Sequence, residues 1–293
     1  MNGKNYRKKK GTILNKEINQ DQLLELQRIA NKLRLKVIEM LYHAKSGHPG
    51  GALSSAEIIS ALYFGEILNI FPDDPYSLDR DIFVLSAGHY CPIWYAALAF
   101  KGFFKEEELN TLRKYGSRLL GHPKYKSLPG IENSGGSLGQ GFSIALGCAV
   151  AFKLDNKSNK VFCLLGDGEQ NEGQVWEAAM FASHNNLDNL IAIIDVNKIQ
   201  IDGFTKDILS SEPLDDKYKS FGWNVKRING NDISQVYSAI QEAILFKDKP
   251  SVIIADTIAG KGVSALENTV ASHGKWISKE VYESAKIDLG DKI

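Results

Sequence analysis

Apolar and polar residues alternate along this chain with two different periods. Between Leu23 and Leu41 the apolar positions recur every three or four residues, which predicts a long amphipathic helix that ends at the loop Ser46–Gly51. Ser54, with Glu57 three residues later, is typical of a capping box at the start of the next helix. The same helical period predicts four further helices, over residues 88–100, 141–154, 173–186 and 233–246.

Short apolar runs rich in β-branched residues separate these helices. They predict strands over residues 81–86, 161–165, 190–195 and 250–257, with a weaker candidate at 222–228. Strands that alternate with helices imply right-handed crossovers. The fold class is therefore α/β, a mainly parallel sheet with helices on both faces. No repeat or linker divides residues 21–293, so we expect one domain after an N-terminal tail at 1–20.

Charge excludes one class of partner. Lysine plus arginine and aspartate plus glutamate both number 35 in the 293 residues, so the formal net charge is zero. A nucleic-acid-binding protein needs a basic surplus to neutralise phosphates, and we expect no nucleic acid partner. The one basic cluster, Lys4–Lys10, is interpreted as a solvated tail, with weak contact to an anionic surface as the alternative.

Hydropathy and cysteine content indicate the compartment. No apolar run approaches the 18 or so residues of a membrane span, and the start of the chain lacks the apolar core of a signal peptide. Cys91, Cys148 and Cys163 are odd in number and lie in apolar stretches, which is typical of reduced, buried thiols. We expect a cytoplasmic protein with no membrane partner.

Polar residues collect where the predicted strands end, and ligands of open α/β sheets bind at that edge. Gly166-Asp167-Gly168 follows one strand, and Asn197 follows the next strand, 30 residues after Asp167. Carboxylate and amide oxygens suit Mg²⁺ or Ca²⁺, and a cation with few protein ligands usually also binds a phosphorylated ligand. A plain Asp-Gly turn is the alternative.

Two further patterns indicate a ligand site. A glycine-rich stretch, 135–141, opens a predicted helix, where backbone N–H groups favour an anion; close helix packing would also explain it. It matches neither the dinucleotide fingerprint nor a P-loop. Four of the six histidines lie beside glycine in loops, which indicates a polar pocket able to move protons, whereas His43 and His184 look like ordinary half-buried helix residues. The four are His48, His89, His122 and His273.

Seven motifs, in order, carry a resemblance to a known family. They are "SGHPGG", "VLSAGH", "GHP", "GSLGQG", "GDGEQNEG", "DVNKIQIDG" and the pair "GKGVSALEN" and "SHGK". Gly-Asp-Gly followed by Asn resembles the thiamine diphosphate motif. The whole set, from about residue 20 to the end, resembles the N-terminal domain of transketolase, which implies the thiamine diphosphate-binding fold.

The resemblance implies a role for each matching residue. Mg²⁺ would be held by Asp167, Asn197 and the Ile199 carbonyl. The catalytic candidates are His48, His122 and His273, lining the substrate channel, and Glu172, in a carboxylate network reaching a neighbouring subunit. The cofactor-binding set is His89, Gly136, Ser137, Leu138, Gly166, Asp167, Gly168, Glu169, Asn197, Ile201 and His273. Within it, Gly168 would contact the diphosphate, Gly136 and Leu138 the aminopyrimidine, and Ile201 the thiazolium.

Some positions depart from the family pattern. Ser137 stands where full-length transketolases carry proline, as in forms split into two chains. Ala87 replaces the usual lysine or asparagine, and Tyr90-Cys91-Pro92 replaces smaller residues after His89. These changes lie near the expected channel and put the ordinary sugar-phosphate substrate in doubt.

In the family, the activating glutamate and the substrate-phosphate arginines lie in a following domain, which we expect a second polypeptide to supply here. We therefore expect one half of a split enzyme, in an α2β2 assembly with a C-terminal transketolase subunit, transferring a two-carbon ketol unit between sugars or sugar phosphates. A truncated chain is the alternative explanation. Alternative functions are the α subunit of a 2-oxo acid dehydrogenase, a deoxyxylulose-phosphate synthase-like enzyme, a non-catalytic scaffold subunit, or a nucleotide-binding α/β protein.

Overall fold

A five-stranded parallel sheet forms the centre of the protein. The computed structural model describes residues 18–274, 276–290, 292 and 293. The strand order is β1-β2-β3-β7-β6, and every neighbouring pair is parallel. A separate antiparallel pair joins β4 to β5. The strands are β1 (Ile82–Leu85), β2 (Val161–Gly166), β3 (Leu190–Val196), β4 (Ile199–Gln200), β5 (Gly203–Phe204), β6 (Asn224–Asn229) and β7 (Ser251–Asp256).

Helices cover both faces of this sheet. They are α1 (Gln20–Ala44), α2 (Pro49–Ser54), α3 (Ala56–Phe64), α4 (Cys91–Phe100), α5 (Gln140–Leu154), α6 (Gly173–His184), α7 (Thr205–Ile208), α8 (Leu214–Ser220), α9 (Ile233–Leu245) and α10 (Lys279–Gly290). Short 3-10 helices lie at Gly88–Tyr90, Glu106–Thr111, Gly168–Asn171 and Val270–Ser272.

Alternate residues of each strand enter two separate cores. In β2, Phe162 and Leu164 pack with α1, α3, α4 and α9, whereas Cys163 and Leu165 pack with α5, α6 and α8. All six residues of β2 are buried, as are all seven of β3. A strand buried on both sides has no polar alternation, which is why these strands read as continuous apolar runs. The predicted α/β class, with helices on both faces, is confirmed.

The segment before α3 corrects two predictions. We expected a loop over 46–51 and a capping box at Ser54 and Glu57, but α2 already begins at Pro49, where proline's fixed φ suits a first helical residue. Ser54 ends that helix, and its hydroxyl bonds to the Gly51 carbonyl and to Asp195. Glu57 instead forms a buried ion pair with Arg34, with 2.5 Å between Oε2 of Glu57 and Nη2 of Arg34.

A capping box does occur at the start of α1. The Asn19 side chain accepts from the Gln22 backbone at 2.9 Å, and the Gln22 side chain accepts from the Asn19 backbone at 3.1 Å. The predicted basic cluster Lys4–Lys10 lies outside the described residues. His43 and His184, predicted to be half-buried, are exposed on α1 and α6. Cys91 and Cys163 are buried and Cys148 is partly buried, all as free thiols.

Within the described ranges, no helix has both the length and the apolar character needed to cross a membrane.

Candidate cofactor and cation site

Asp167 and Asn197 follow adjacent strands of the sheet. Gly166, the last residue of β2, pairs with Asp195 of β3, so the loops that carry Asp167 and Asn197 leave the sheet side by side. Both side chains are nearly buried, at 3% and 4% exposure. The proximity that the 30-residue spacing suggested is present in the structure.

Asp167 is a buried carboxylate held by backbone groups. Its Oδ2 accepts from the Lys198 N–H at 2.7 Å, and its Oδ1 accepts from the Gly168 N–H at 2.8 Å. Burial raises the pKa of Asp167 to about 7, and the negative charge of Asp195 adds to that rise. Among the residues described, neither aspartate has a lysine or arginine within ion-pair distance. A bound cation would supply the missing positive charge.

Asp195 is the centre of a buried hydrogen-bond network that sequence reasoning did not assign to the site. The residue is 0% exposed. Its oxygens accept from Ser54 at 2.7 Å, Tyr90 at 2.9 Å, Thr257 at 2.5 Å and the Asn197 amide at 2.8 Å. The signal in the sequence was a carboxylate at the end of an otherwise apolar strand, since such a group must find partners when buried.

The turn after Asn197 places the Ile199 backbone at the same edge. Lys198 has a φ of 68°, and Ile199 is buried, its N–H donating to Asn197 Oδ1 at 3.1 Å. Burial lowers the pKa of His273, and the nearby Ile199 backbone partly offsets this lowering. Asp167, Asn197 and Ile199 therefore lie around one point of the sheet edge.

The four glycine-flanked histidines meet in one cluster. The ring centroid of His48 lies 5.4 Å from that of His89, 6.2 Å from His122 and 6.0 Å from His273, and His89 lies 5.4 Å from His273. Four separate segments of the chain thus bring these histidines together, whereas the polar pocket stays a prediction. Nδ1 of His48 is buried without a hydrogen-bond partner in the described part of the chain.

These histidines are neutral at physiological pH. Burial lowers the pKa of His48 to about 4 and that of His89 to about 3. The pKa values of His122 and His273 are also lowered, again chiefly by burial. Neutral imidazoles can both donate and accept hydrogen bonds, which suits contact with hydroxyl groups and proton transfer.

Arg113 holds the histidine loops together and was not predicted. Its guanidinium donates to the Ser46 hydroxyl at 2.9 Å and to the Gly121 carbonyl at 3.3 Å, so it connects the loops that carry His48 and His122. Its charge is the second cause, after burial, of the lowered pKa of both histidines. Arg113 lies in the loop after the 3-10 helix Glu106–Thr111, where no motif marked it.

The glycine-rich turn lies beside this cluster. Gly139 caps α5 with a φ of 79°. Gly136 has a φ of 145°, and apart from its chain neighbours no described residue has an atom within 4 Å of where a Cβ would stand. Gly136 and Ser137 are exposed and Leu138 is partly exposed. The backbone here is open to a ligand.

Glu169 supports that turn from beneath. Its carboxylate accepts from the Ser86 hydroxyl at 2.5 Å and from the N–H groups of Gly139 at 2.7 Å and Gly166 at 3.1 Å. Glu169 is 2% exposed, so it acts on the site through the backbone of its neighbours. By contrast Glu172 is exposed and Ile201 is 73% exposed, available to a ligand or a partner.

The donor set fits a hard divalent cation bound together with an anionic ligand. The described residues hold no group of three or more histidine, cysteine, aspartate or glutamate side chains arranged to bind a metal. The predicted set has one carboxylate, one amide oxygen and one carbonyl, all oxygen donors. Oxygen donors suit Mg²⁺ or Ca²⁺, and so few of them leave coordination positions for a phosphorylated ligand.

Comparison with known proteins identifies the class and then the family. Residues 25–292 match the family described as transketolase, thiamine diphosphate binding domain. The structure superposes on the transketolase of Campylobacter jejuni with a TM-score of 0.86 and 35% identity, covering 93% of this chain and 43% of that one. The fold and the site thus define a thiamine diphosphate-binding domain. The chain belongs to the transketolase family.

Two similar relatives are themselves subunits. A 6-deoxy-6-sulfo-D-fructose transketolase subunit of Clostridium sp. (strain MSTE9) is 44% identical over 269 residues, covering 92% of this chain and 98% of the relative. An apulose-4-phosphate transketolase subunit of Phocaeicola vulgatus is 41% identical over 274 residues, covering 94% of this chain and 96% of the relative. The prediction of a transketolase-type transferase is confirmed.

Proposed function

We propose that this chain binds thiamine diphosphate through Mg²⁺ held by Asp167, Asn197 and the Ile199 carbonyl, with Ca²⁺ as a possible substitute. The observation that carries the proposal is the buried Asp167 carboxylate beside Asp195, two acids without a basic partner in the described residues. A divalent cation at this point compensates both charges.

The diphosphate would lie against the segment after β2. Gly168 N–H now donates to Asp167 Oδ1. With the cofactor bound, this N–H would donate to a diphosphate oxygen. His89 and His273, whose ring centroids are 5.4 Å apart, would flank the diphosphate, and Gly166 and Glu169 are joined by a hydrogen bond in the loop that carries it.

The rings of the cofactor would extend over two exposed segments. Gly136, Ser137 and Leu138 offer open backbone to the aminopyrimidine, and the exposed Ile201 side chain offers an apolar contact to the thiazolium. When bound, thiamine diphosphate supplies the nucleophilic carbon and the electron sink needed to break the bond next to a ketose carbonyl.

His48, His122 and His273 would bind and orient the sugar. Neutral imidazoles clustered within about 6 Å can donate to sugar oxygens and take up or release their protons. Among the described residues nothing pairs with the buried Nδ1 of His48, and a substrate or cofactor group would satisfy it. Glu172, exposed next to the glycine-rich turn, would reach toward the carboxylate network of a neighbouring subunit.

The partner would be a C-terminal transketolase subunit in an α2β2 assembly, working in the cytoplasm. Exposed apolar side chains on the packed helices α5 and α6 support a partner: Ile144, Met180 and Phe181 are 40%, 50% and 48% exposed. Apolar area of this kind marks interfaces in obligate assemblies. The partner supplies the activating glutamate.

The donor class we propose is a ketose carrying an anionic group. By their names, the two relatives act on a sulfonated sugar and on a sugar phosphate. Both groups are anions that the partner's basic residues would recognise.

The test is ketol transfer to an aldose phosphate by the chain, its partner subunit, or both, with thiamine diphosphate and Mg²⁺. Donors would be a ketose phosphate, the matching ketose sulfonate and the unsubstituted ketose, and products would be read by mass spectrometry. We expect transfer only with both chains, and fastest with an anionic donor. Transfer by this chain alone refutes the split arrangement, and equal rates for all donors refute the donor class.

A further inference from the structure

Tyr90 lies in the interior of the cation site. The residue is 2% exposed, and its hydroxyl donates to Asp195 Oδ2 at 2.9 Å. The same hydroxyl accepts from the Asn197 amide nitrogen at 2.9 Å, and that nitrogen also donates to Asp195 at 2.8 Å. Tyr90, Asp195 and Asn197 therefore form a closed triangle of hydrogen bonds.

The chain makes room for this ring by having a glycine opposite it. A Cβ added at Gly51 would stand 1.7 Å from Cε1 of Tyr90, nearer than any atom can approach. A Cβ at Gly166 would meet the Tyr90 hydroxyl at 3.4 Å, an ordinary contact distance. The ring thus occupies the space above α2 that a side chain at Gly51 would otherwise fill, and its position is fixed.

We infer that Tyr90 is a positioning residue that fixes the orientation of the Asn197 amide for the cation. Both acceptors that face the amide nitrogen, Tyr90 and Asp195, are on one side. If the amide were flipped, its oxygen would meet the Asp195 carboxylate oxygen, and its NH2 group would face the Ile199 N–H, so both contacts would be repulsive. The oxygen Oδ1 is therefore held on the opposite side, next to the Ile199 N–H, where the cation is proposed to bind. This inference rests on the proposed function.

The hydrogen bonds of Tyr90 are consistent with this orientation. Its O–H donates to Asp195, which leaves a lone pair of the phenol oxygen to accept from the Asn197 amide. Outer-shell partners of this kind set the orientation of metal ligands.

The test uses Tyr90→Phe, which removes only the hydroxyl, in the full chain with its partner subunit. The probe is Mn²⁺ in the presence of thiamine diphosphate. Binding of Mn²⁺ is measured from the electron paramagnetic resonance signal of the free ion and by calorimetry. We expect Mn²⁺ affinity to fall about 10- to 100-fold. The matched control is Tyr63→Phe. Tyr63 is also buried, and its hydroxyl accepts from the Trp94 indole N–H at a distance of 2.6 Å, outside the cation site. The Mn²⁺ affinity of this control should be unchanged.

A double-mutant cycle separates positioning from packing. In an Asn197→Ala background, Tyr90→Phe should weaken Mn²⁺ binding no further, because the residue acts through Asn197. Mn²⁺ affinity in folded Tyr90→Phe within twofold of wild type overturns the inference while leaving the cation site in place. If the wild-type protein shows no Mn²⁺-dependent cofactor binding, both the inference and the proposed function are wrong.

Discussion

Replacing Glu169 with glutamine should destabilise the protein and disorder the glycine-rich turn. The carboxylate accepts three hydrogen bonds, with Ser86, Gly139 and Gly166 as donors. A glutamine has one acceptor oxygen, which can keep the Ser86 and Gly139 bonds. Its NH2 group then faces the Gly166 N–H, so two donors oppose each other.

The magnitude follows from these three contacts. One buried N–H left without an acceptor costs about 1–3 kcal/mol, and two charge-assisted bonds that become neutral lose about 0.5–1 kcal/mol each. Relief of the buried charge, whose burial raises the pKa of Glu169, offsets part of this. We expect the free energy of unfolding to fall by about 2 kcal/mol, near the lower end of the sum.

Urea unfolding of Glu169→Gln, followed by circular dichroism, measures this difference. The control is Glu177→Gln, an exposed glutamate on α6, which should stay within about 0.5 kcal/mol of wild type. Thiamine diphosphate affinity should also fall in Glu169→Gln, since the turn it holds is the proposed ring contact. A stability equal to that of the control would refute the three-bond account.

Three further changes test other parts of the site. Arg113→Gln removes a positive charge and should raise the pKa of His48 and His122, measured from histidine NMR shifts against pH. The pKa of His48 is about 4 in the folded protein and 6.5 in the unfolded chain. The stability of the wild-type protein should therefore fall as the pH drops from 6.5 to 4. His122→Ala should lower turnover about 10²- to 10⁴-fold with little change in cofactor affinity. Gly139→Ala, at positive φ, should destabilise the chain by about 1 kcal/mol in urea unfolding, whereas Gly147→Ala, at an open helical position, should stabilise it by a similar amount.

The fold was largely predictable because the strands are buried on both faces. Continuous apolar runs between amphipathic helices, such as those of β2 and β3, are typical of parallel strands covered by helices on both faces. The edge strand β6 gave a weak signal because Lys226 and Arg227 are exposed. The start of α2 at Pro49 was missed because glycine and proline dominate it, and both usually indicate a loop.

The positions of some candidate-site residues could be predicted from the sequence because their chemistry and their place in the chain agree. Asp167 and Asn197 are oxygen donors at strand ends, and the loop histidines stand beside glycine. Tyr90 and Arg113 could not be assigned, because their roles depend on partners 107 and 67 positions away in the chain. The roles of the predicted ligands toward the cofactor stay predictions.

The most direct test of the cation site is a calorimetric titration of thiamine diphosphate into the chain with its partner subunit. We predict binding in Mg²⁺, no measurable binding in EDTA, and loss of binding in Asp167→Asn. Asp202→Asn, an exposed carboxylate in the hairpin that follows, should bind as wild type does. Equal cofactor affinity with and without Mg²⁺, or wild-type affinity in folded Asp167→Asn, would contradict the account.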